Sequence, residues 1–264
     1  MPSLASPLAG PLAGLLTDDR TTDADAALVI AALTSPSQFT QRLVNRRVID
    51  LKAAGIWSRL DCYYDLAMPN QADCLVNWIL PGTRNLTANG SVTHVPNKYM
   101  AGDGVSANLA TGYTPGGTLN YKQDDAFVGA YLHSYVDNNI IVGQVSGTSR
   151  ILLLPRPIAG TILSRLNDET NQGGTFTDTT AGLVTCNRAA SGTRTLRSKG
   201  ALLSTNSVAS VGLPSGAVTI FRSVNTYTAN RASRVMIGGG LTDDQQASLR
   251  VIEDRDMLAI GAAA

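Results

Sequence analysis

From residue 60 onward the chain alternates apolar and polar residues in short runs, each closed by Gly, Pro, Asn or Asp. A side-chain period of two with frequent turn residues is the signature of antiparallel strands. The pattern predicts strands over 60–66, 126–134, 139–145, 150–155, 160–166, 182–188, 193–198, 201–204, 217–223 and 233–237. Alternation is clearest in Thr161-Ile162-Leu163-Ser164-Arg165-Leu166, where one face is read as buried and the other as wet. Ile151-Leu152-Leu153-Leu154 is apolar on both faces and therefore reads as a central or interface strand. Residues 76–115 carry the densest punctuation, entering the tight turn Gly102-Asp103-Gly104 and leaving through Asn108-Leu109-Ala110-Thr111-Gly112-Tyr113.

Two segments break this rhythm with a helical period. Residues 23–54 form the first, and its second half has its own start signal, with Ser35 read as N-cap, Pro36 as the first helical residue and Gln38 as the partner in a capping box. Phe39, Leu43, Val44, Val48 and Leu51 make one apolar stripe, and Arg42, Arg46, Arg47 and Lys52 are assigned to a solvated face. Gly55 supplies the stop. The second helix spans 241–260, capped by Thr242 with Gln245, and places Ala247, Val251 and Leu258 on one face. Ahead of both lies an arm, 1–22, with the doubled Pro-Leu-Ala-Gly at residues 7–14. Its prolines forbid a continuous helix, while Leu4, Leu8, Leu12, Leu15 and Leu16 give it apolar surface to bury. The expected organisation is an anchoring arm at 1–22, a helical segment at 23–58 and a β domain at 59–264 that includes the last helix.

Composition narrows the function classes. A formal charge of +1 offers no field for gathering nucleic acid or an anionic membrane. No apolar run reaches the roughly 20 residues a spanning helix needs, and Pro2, Pro7 and Pro11 interrupt anything like a secretory leader. Cys62, Cys74 and Cys186 are an odd number with no close pair, which argues for buried thiols made in a reducing cytoplasm.

Four segments in order resemble one family: Ala54-Gly55-Ile56-Trp57 with Leu60-Asp61-Cys62-Tyr63-Tyr64; Tyr99-Met100-Ala101-Gly102-Asp103-Gly104 with Ala110-Thr111-Gly112-Tyr113-Thr114-Pro115; Ala126-Phe127-Val128-Gly129-Ala130-Tyr131 with Ser149-Arg150-Ile151-Leu152-Leu153-Leu154-Pro155-Arg156; and Ile237-Gly238-Gly239-Gly240-Leu241-Thr242. Across about residues 40–261 the chain is similar to the concanavalin A-like (lectin/glucanase, LamG-like) jelly-roll domains of tailed-phage structural proteins. The resemblance implies a mainly β, antiparallel jelly-roll sandwich with flanking helices, displayed on a virion or phage-like particle and made in the bacterial cytoplasm. It implies a tail-fibre or spike type of host-glycan attachment, or else a capsid decoration protein that binds only other virion subunits through its arm. A homo-oligomer, with a trimer as one form, accompanies either role. The family transfers no catalytic residues.

The residues themselves give little reactive chemistry. His94 and His133 are the only histidines, without a nucleophile elbow or ligand-spaced partners. Glycoside hydrolysis needs paired carboxylates, yet Glu169 and Glu253 are isolated and Asp124-Asp125 would point to opposite sides of a strand. No cofactor is called for; a calcium ion would find oxygen ligands at Asp137-Asn138-Asn139 or Asn167-Asp168-Glu169, although neither is a complete loop. Asn85-Leu86-Thr87 and Asn89-Gly90-Ser91 match the glycosylation tripeptide but read as turns. Saccharide recognition wants an aromatic face beside amide groups, and Tyr113, Tyr121, Tyr135, Asn138 and Tyr227 lie in or beside suitable loops.

Overall fold

The computed structural model describes residues 21–136, 140–156, 160–175, 180 and 182–262. Leu4, Leu8, Leu12, Leu15 and Leu16 of the arm, and Asp137, Asn138 and Asn139, lie outside the described residues.

The β region is an antiparallel sandwich. One sheet runs in the order Ala201–Asn206, Thr193–Ser198, Gly182–Ala190, Ala126–Ser134, Arg231–Gly238, Tyr99–Ala101, Thr93–Val95, and Leu60–Asp65 also pairs with Arg231–Gly238. The other runs Gln172–Thr175, Thr161–Leu166, Ser149–Arg156, Val142–Ser146, Thr219–Ile220, Asn108–Ala110, Thr87–Asn89. Between them Val128, Val184, Leu196, Val235 and Ile237 bury against residues such as Ile151, Leu153 and Ile162 in one continuous cluster. Each such aliphatic side chain contributes about 1.5–3 kcal/mol by leaving water. Ser149–Arg156 is central in its sheet, and its register explains the unbroken apolar run. Ile151 and Leu153 point into the core, and Leu152 and Leu154 take the opposite face.

The helices cover the far face of the first sheet. Tyr63 Oη donates to Glu253 at 2.8 Å, Thr185 contacts Gln246 at 3.2 Å, and Asn187 Nδ2 donates to Leu241 O at 3.0 Å. Three layers result: helices, first sheet, second sheet.

Local structure departs from the expected elements where a special backbone intervenes. The segment 23–54 divides into Ala24–Ala32 and Gln38–Ala53, because Ser35 adopts φ +49° and Ser37, not Ser35, caps the second helix. Gly55, at φ +67°, terminates it as expected. The strand expected over 217–223 is cut by Phe221 at φ +66° into Thr219–Ile220 and Arg222–Ser223. Gly173-Gly174, a pair that weakens a strand interior, lies inside the edge strand Gln172–Thr175.

Charge placement differs most. Arg47 is fully buried, not solvated: it donates to Asp65 at 2.5 Å and Asp256 at 2.6 Å and lies 4.9 Å from the Trp78 ring. The last helix, Asp243–Ala259, has the expected Thr242–Gln245 capping box, but its apolar Val251 and Leu258 are 65% and 58% exposed. Its buried side carries Gln246, Glu253 and Asp256 beside Leu249, Ile252 and Met257, since it faces Arg47 and Arg234.

Candidate functional site

A sandwich has four sheet faces. Two make the core and helices cover a third, which leaves the outer face of the second sheet. On that face the register aligns Thr219, Gly143, Leu152 and Arg165 in one cross-strand row, with Val145 and Arg150 as the neighbouring pair. A hairpin, Arg222–Ser223 paired with Thr226–Tyr227, folds back over this row. Gly143 permits the approach: a Cβ there would sit 2.5 Å from Ser223 Cβ and 2.8 Å from Arg222 O. Gly102 does the same at the hairpin base, where a Cβ would meet Thr228 O at 2.3 Å.

The hairpin is held firmly. Phe221 is buried and donates its N–H to Ile141 O at 2.8 Å, and Thr228 N donates to Phe221 O at 3.1 Å. Thr219 Oγ1 lies 3.1 Å from Gly143 O and 2.7 Å from Arg222 O. Phe221 and Val224, at φ +66° and +54°, occupy the left-handed region that β-branched and bulky residues avoid. Strained backbone kept by surrounding bonds is a common property of binding sites.

Beside the hairpin opens a cavity of about 340 Å³ lined by Gly143, Gln144, Val145, Ala217, Thr219, Arg222 and Val224. The polar side chains it meets on this face are the Thr219 hydroxyl and the Arg222 guanidinium, and among the described residues no carboxylate lines it. Arg222 Nε donates to Val224 O at 2.6 Å while its guanidinium lies 5.3 Å from the Tyr227 ring centre. Gln144, between Gly143 and Val145, turns its side chain to the other face of the strand, where its Nε2 donates to Ser146 Oγ at 3.2 Å and Ser215 N donates to the same oxygen at 3.2 Å. Preset donors and acceptors around an open hollow can bind hydroxyl-rich ligands.

Of the tyrosines singled out from sequence, Tyr227 is half-buried on this hairpin and Tyr135 is half-buried against the core edge. Tyr113 and Tyr121 require correction. Both are fully buried and meet edge-on at 6.5 Å inside the protein, so neither offers a ring face to a ligand. Tyr113 Oη donates to Asp61 at 2.9 Å and Tyr121 Oη to Asn167 at 2.8 Å. Burial pushes both phenols above their usual range, helped at Tyr113 by the neighbouring Asp61 charge. Thr219 and Arg222 are site residues that no aromatic signal in the sequence marks. The available signal was Arg222-Ser223-Val224-Asn225-Thr226-Tyr227, a hairpin-length run ending in tyrosine.

The other candidates resolve into structure. Asp168 Oδ2 receives Arg188 and Arg194, each at 2.6 Å, so the Asn167-Asp168-Glu169 segment already faces two buried cations and is no calcium loop. Asn167 instead donates to Lys122 O and Gln123 O. Among the described residues no cluster of His, Cys, Asp or Glu is arranged for a metal. His94 Nε2 is 3.0 Å from Met68 O, and His133 packs on Tyr99 at 4.7 Å. The three cysteines are free and buried, and burial pushes the Cys62 thiol up to about 12. Glu253 belongs to the helix-side ion network and Glu169 to the second sheet's end, so a layer of strands separates the two glutamates. Asp103 is a turn residue that accepts from Val105, Ser106 and Ala107 N–H groups. No described helix is long and apolar enough to cross a membrane.

No protein family and no curated protein matches the chain. Solved structures do. A botulinum neurotoxin type C structure concerned with interaction with two ganglioside molecules aligns with a TM-score of 0.56 at 14% identity, covering 77% of this chain and 53% of that one. The binding domain of botulinum neurotoxin DC in complex with SialylT gives 0.56 at 14% identity, covering 76% and 52%. A Trypanosoma rangeli sialidase gives 0.51 at 12% identity, covering 82% and 40%. The chain therefore spans about half, or less, of the proteins it resembles. Likeness at this identity establishes the shared sandwich fold.

Proposed function

We propose that the chain is a saccharide-binding display module whose site is the cavity between the Arg222–Tyr227 hairpin and the strands Val142–Ser146 and Thr219–Ile220. The observation that carries this reading is the cavity's position: it opens on the one sheet face that neither the core nor the helices use, with Thr219 and Arg222 facing a ligand and Tyr227 beside them. Saccharide-binding proteins among the structural neighbours support it through the fold they share. The sequence resemblance to phage sandwich domains adds a setting, the surface of a virion or phage-like particle, with the leucines of the arm as anchor. Many copies on a particle would make a weak single site effective, since linked engagement raises avidity by about 10² to 10⁴.

A glycan array probed with the full chain, followed by titration of the hits, tests this. Saturable binding that falls on Tyr227→Ala supports the proposal. Absence of glycan binding, with capture only by assembled particles, would transfer the chain to the decoration role.

A further inference from the structure

We infer that the ligand of this face is an acidic saccharide chain, recognised through its carboxylates by Arg222, Arg150 and Arg165. This rests on the saccharide reading above and names the class of sugar. Three observations lead to it.

First, among the described residues Arg222 is the only charged one lining the cavity and has no acidic partner. Its described contacts are a backbone carbonyl and an aromatic ring, which leave the outer edge of the guanidinium with unused donors. A guanidinium edge offers paired N–H groups matched to a carboxylate.

Second, the register carries the positive charge outward from the cavity. Val145, a cavity wall, pairs with Arg150, and Gly143, at its floor, pairs with Leu152, which pairs in turn with Arg165. All these side chains share the outer face, and successive strands lie about 4.8 Å apart. The three arginines therefore line a path across the sheet and do not scatter over the surface.

Third, the two outer arginines are poorly neutralised. Arg150 reaches Glu169 only at 3.7 Å, and that carboxylate is 57% exposed. Arg165 donates to the neutral amide of Asn171 at 2.8 Å. Burial, and then the nearby Arg150 charge, hold the Arg165 guanidinium below its ordinary pKa. Like charges gathered on one face oppose folding, and an anion laid between them removes that cost. The buried arginines elsewhere behave differently: Arg47, Arg188, Arg194 and Arg234 each have a carboxylate at 3.0 Å or closer.

A nucleic-acid strand is the competing polyanion. Two things disfavour it: the total charge is only +1, and Tyr227 is already stacked by Arg222 and so is not open for a base.

The test uses the full chain at fixed ionic strength with three probes: oligogalacturonate, the same oligomer after carboxyl reduction, and a dT30 oligonucleotide. Arg222→Gln, Arg222→Lys and the double variant Arg150→Gln/Arg165→Gln are compared, with circular dichroism to show that each folds. The expected result is at least about tenfold tighter binding of the acidic oligomer than of its reduced form. Arg222→Gln and the double variant should lose that preference, and Arg222→Lys should keep part of it. Equal affinity for acidic and reduced oligomers would overturn the acidic-ligand inference and leave the saccharide reading standing. Failure to bind either oligomer would overturn both. Binding of dT30 as tight as that of oligogalacturonate would also overturn it, in favour of a general polyanion surface.

Discussion

Arg47 of the second helix and Asp65 of the first strand meet at 2.5 Å with neither side chain reaching solvent. Asp65 also receives Arg234 at 3.0 Å, Arg47 reaches Asp256 at 2.6 Å, and Arg234 reaches Glu253 at 3.0 Å. The network ties helix Gln38–Ala53, strands Leu60–Asp65 and Arg231–Gly238, and helix Asp243–Ala259 into one body. Removing Arg47 leaves Asp65 with Arg234 alone and Asp256 with Arg255 alone, so the dry interior is one cation short. Arg47→Met is therefore expected to cost about 3–5 kcal/mol in urea denaturation. A loss under about 1 kcal/mol, the scale of an exposed pair, would mean that water reaches the network.

Asp61 anchors a second buried constellation. It accepts from Tyr113 Oη and from the backbone of Asn120 and Tyr121, at 2.8 to 2.9 Å. Tyr113→Phe removes one donor from a buried carboxylate and should lower stability by about 1–3 kcal/mol. Saccharide affinity should not change, because the ring is inside the protein. A selective loss of binding at unchanged stability would return Tyr113 to the ligand site.

The strands and the last helix's cap were legible because they depend on local signals: period-two alternation, turn residues, and Thr242 three residues before Gln245. Arg47 was not. Its buried pairing needs partners 18 and 209 residues away, and a basic residue on a helix is normally solvated. The same long-range pairing misassigned the last helix, whose acids face inward while Val251 and Leu258 face out. The site was half legible. Tyr227 could be picked as an aromatic near a turn, but only the hairpin's approach to Gly143, 84 positions earlier in the chain, sets it beside the cavity.

Gly143 is the structural requirement for that assembly. Because Ser223 Cβ and Arg222 O lie within 2.8 Å of where its side chain would begin, Gly143→Ala must push the hairpin off the sheet. The expected penalty is about 1–3 kcal/mol, as for other overpacked sites. Saccharide binding should be lost by more than this stability change explains, since Arg222 and Tyr227 move with the hairpin. Calorimetry and binding on the same samples decide it, and a variant that binds normally would show that the hairpin does not build the site.

His133 gives the fold its first response to mild acid. Burial, and the nearby charges of Lys98 and Arg231, hold its imidazole below the usual pKa of 6.5 in spite of an opposing contact from the Ala262 backbone. The folded protein thus prefers the neutral ring. The unfolded chain takes up the proton first as pH falls past about 6.5, so this contribution is complete above that pH and is lost as pH drops through the lower folded value. Two paired carboxylates, Asp23 and Asp256, respond later. Lys52 holds Asp23 low, and at Asp256 the attraction of Arg47 and Arg255 overcomes the effect of burial, so both keep their charge through this window. The melting temperature should therefore fall between about pH 7 and 5.5, a range in which imidazoles titrate and these carboxylates do not. His133→Gln should flatten that slope. An unchanged slope in the variant would assign the acid response to another group.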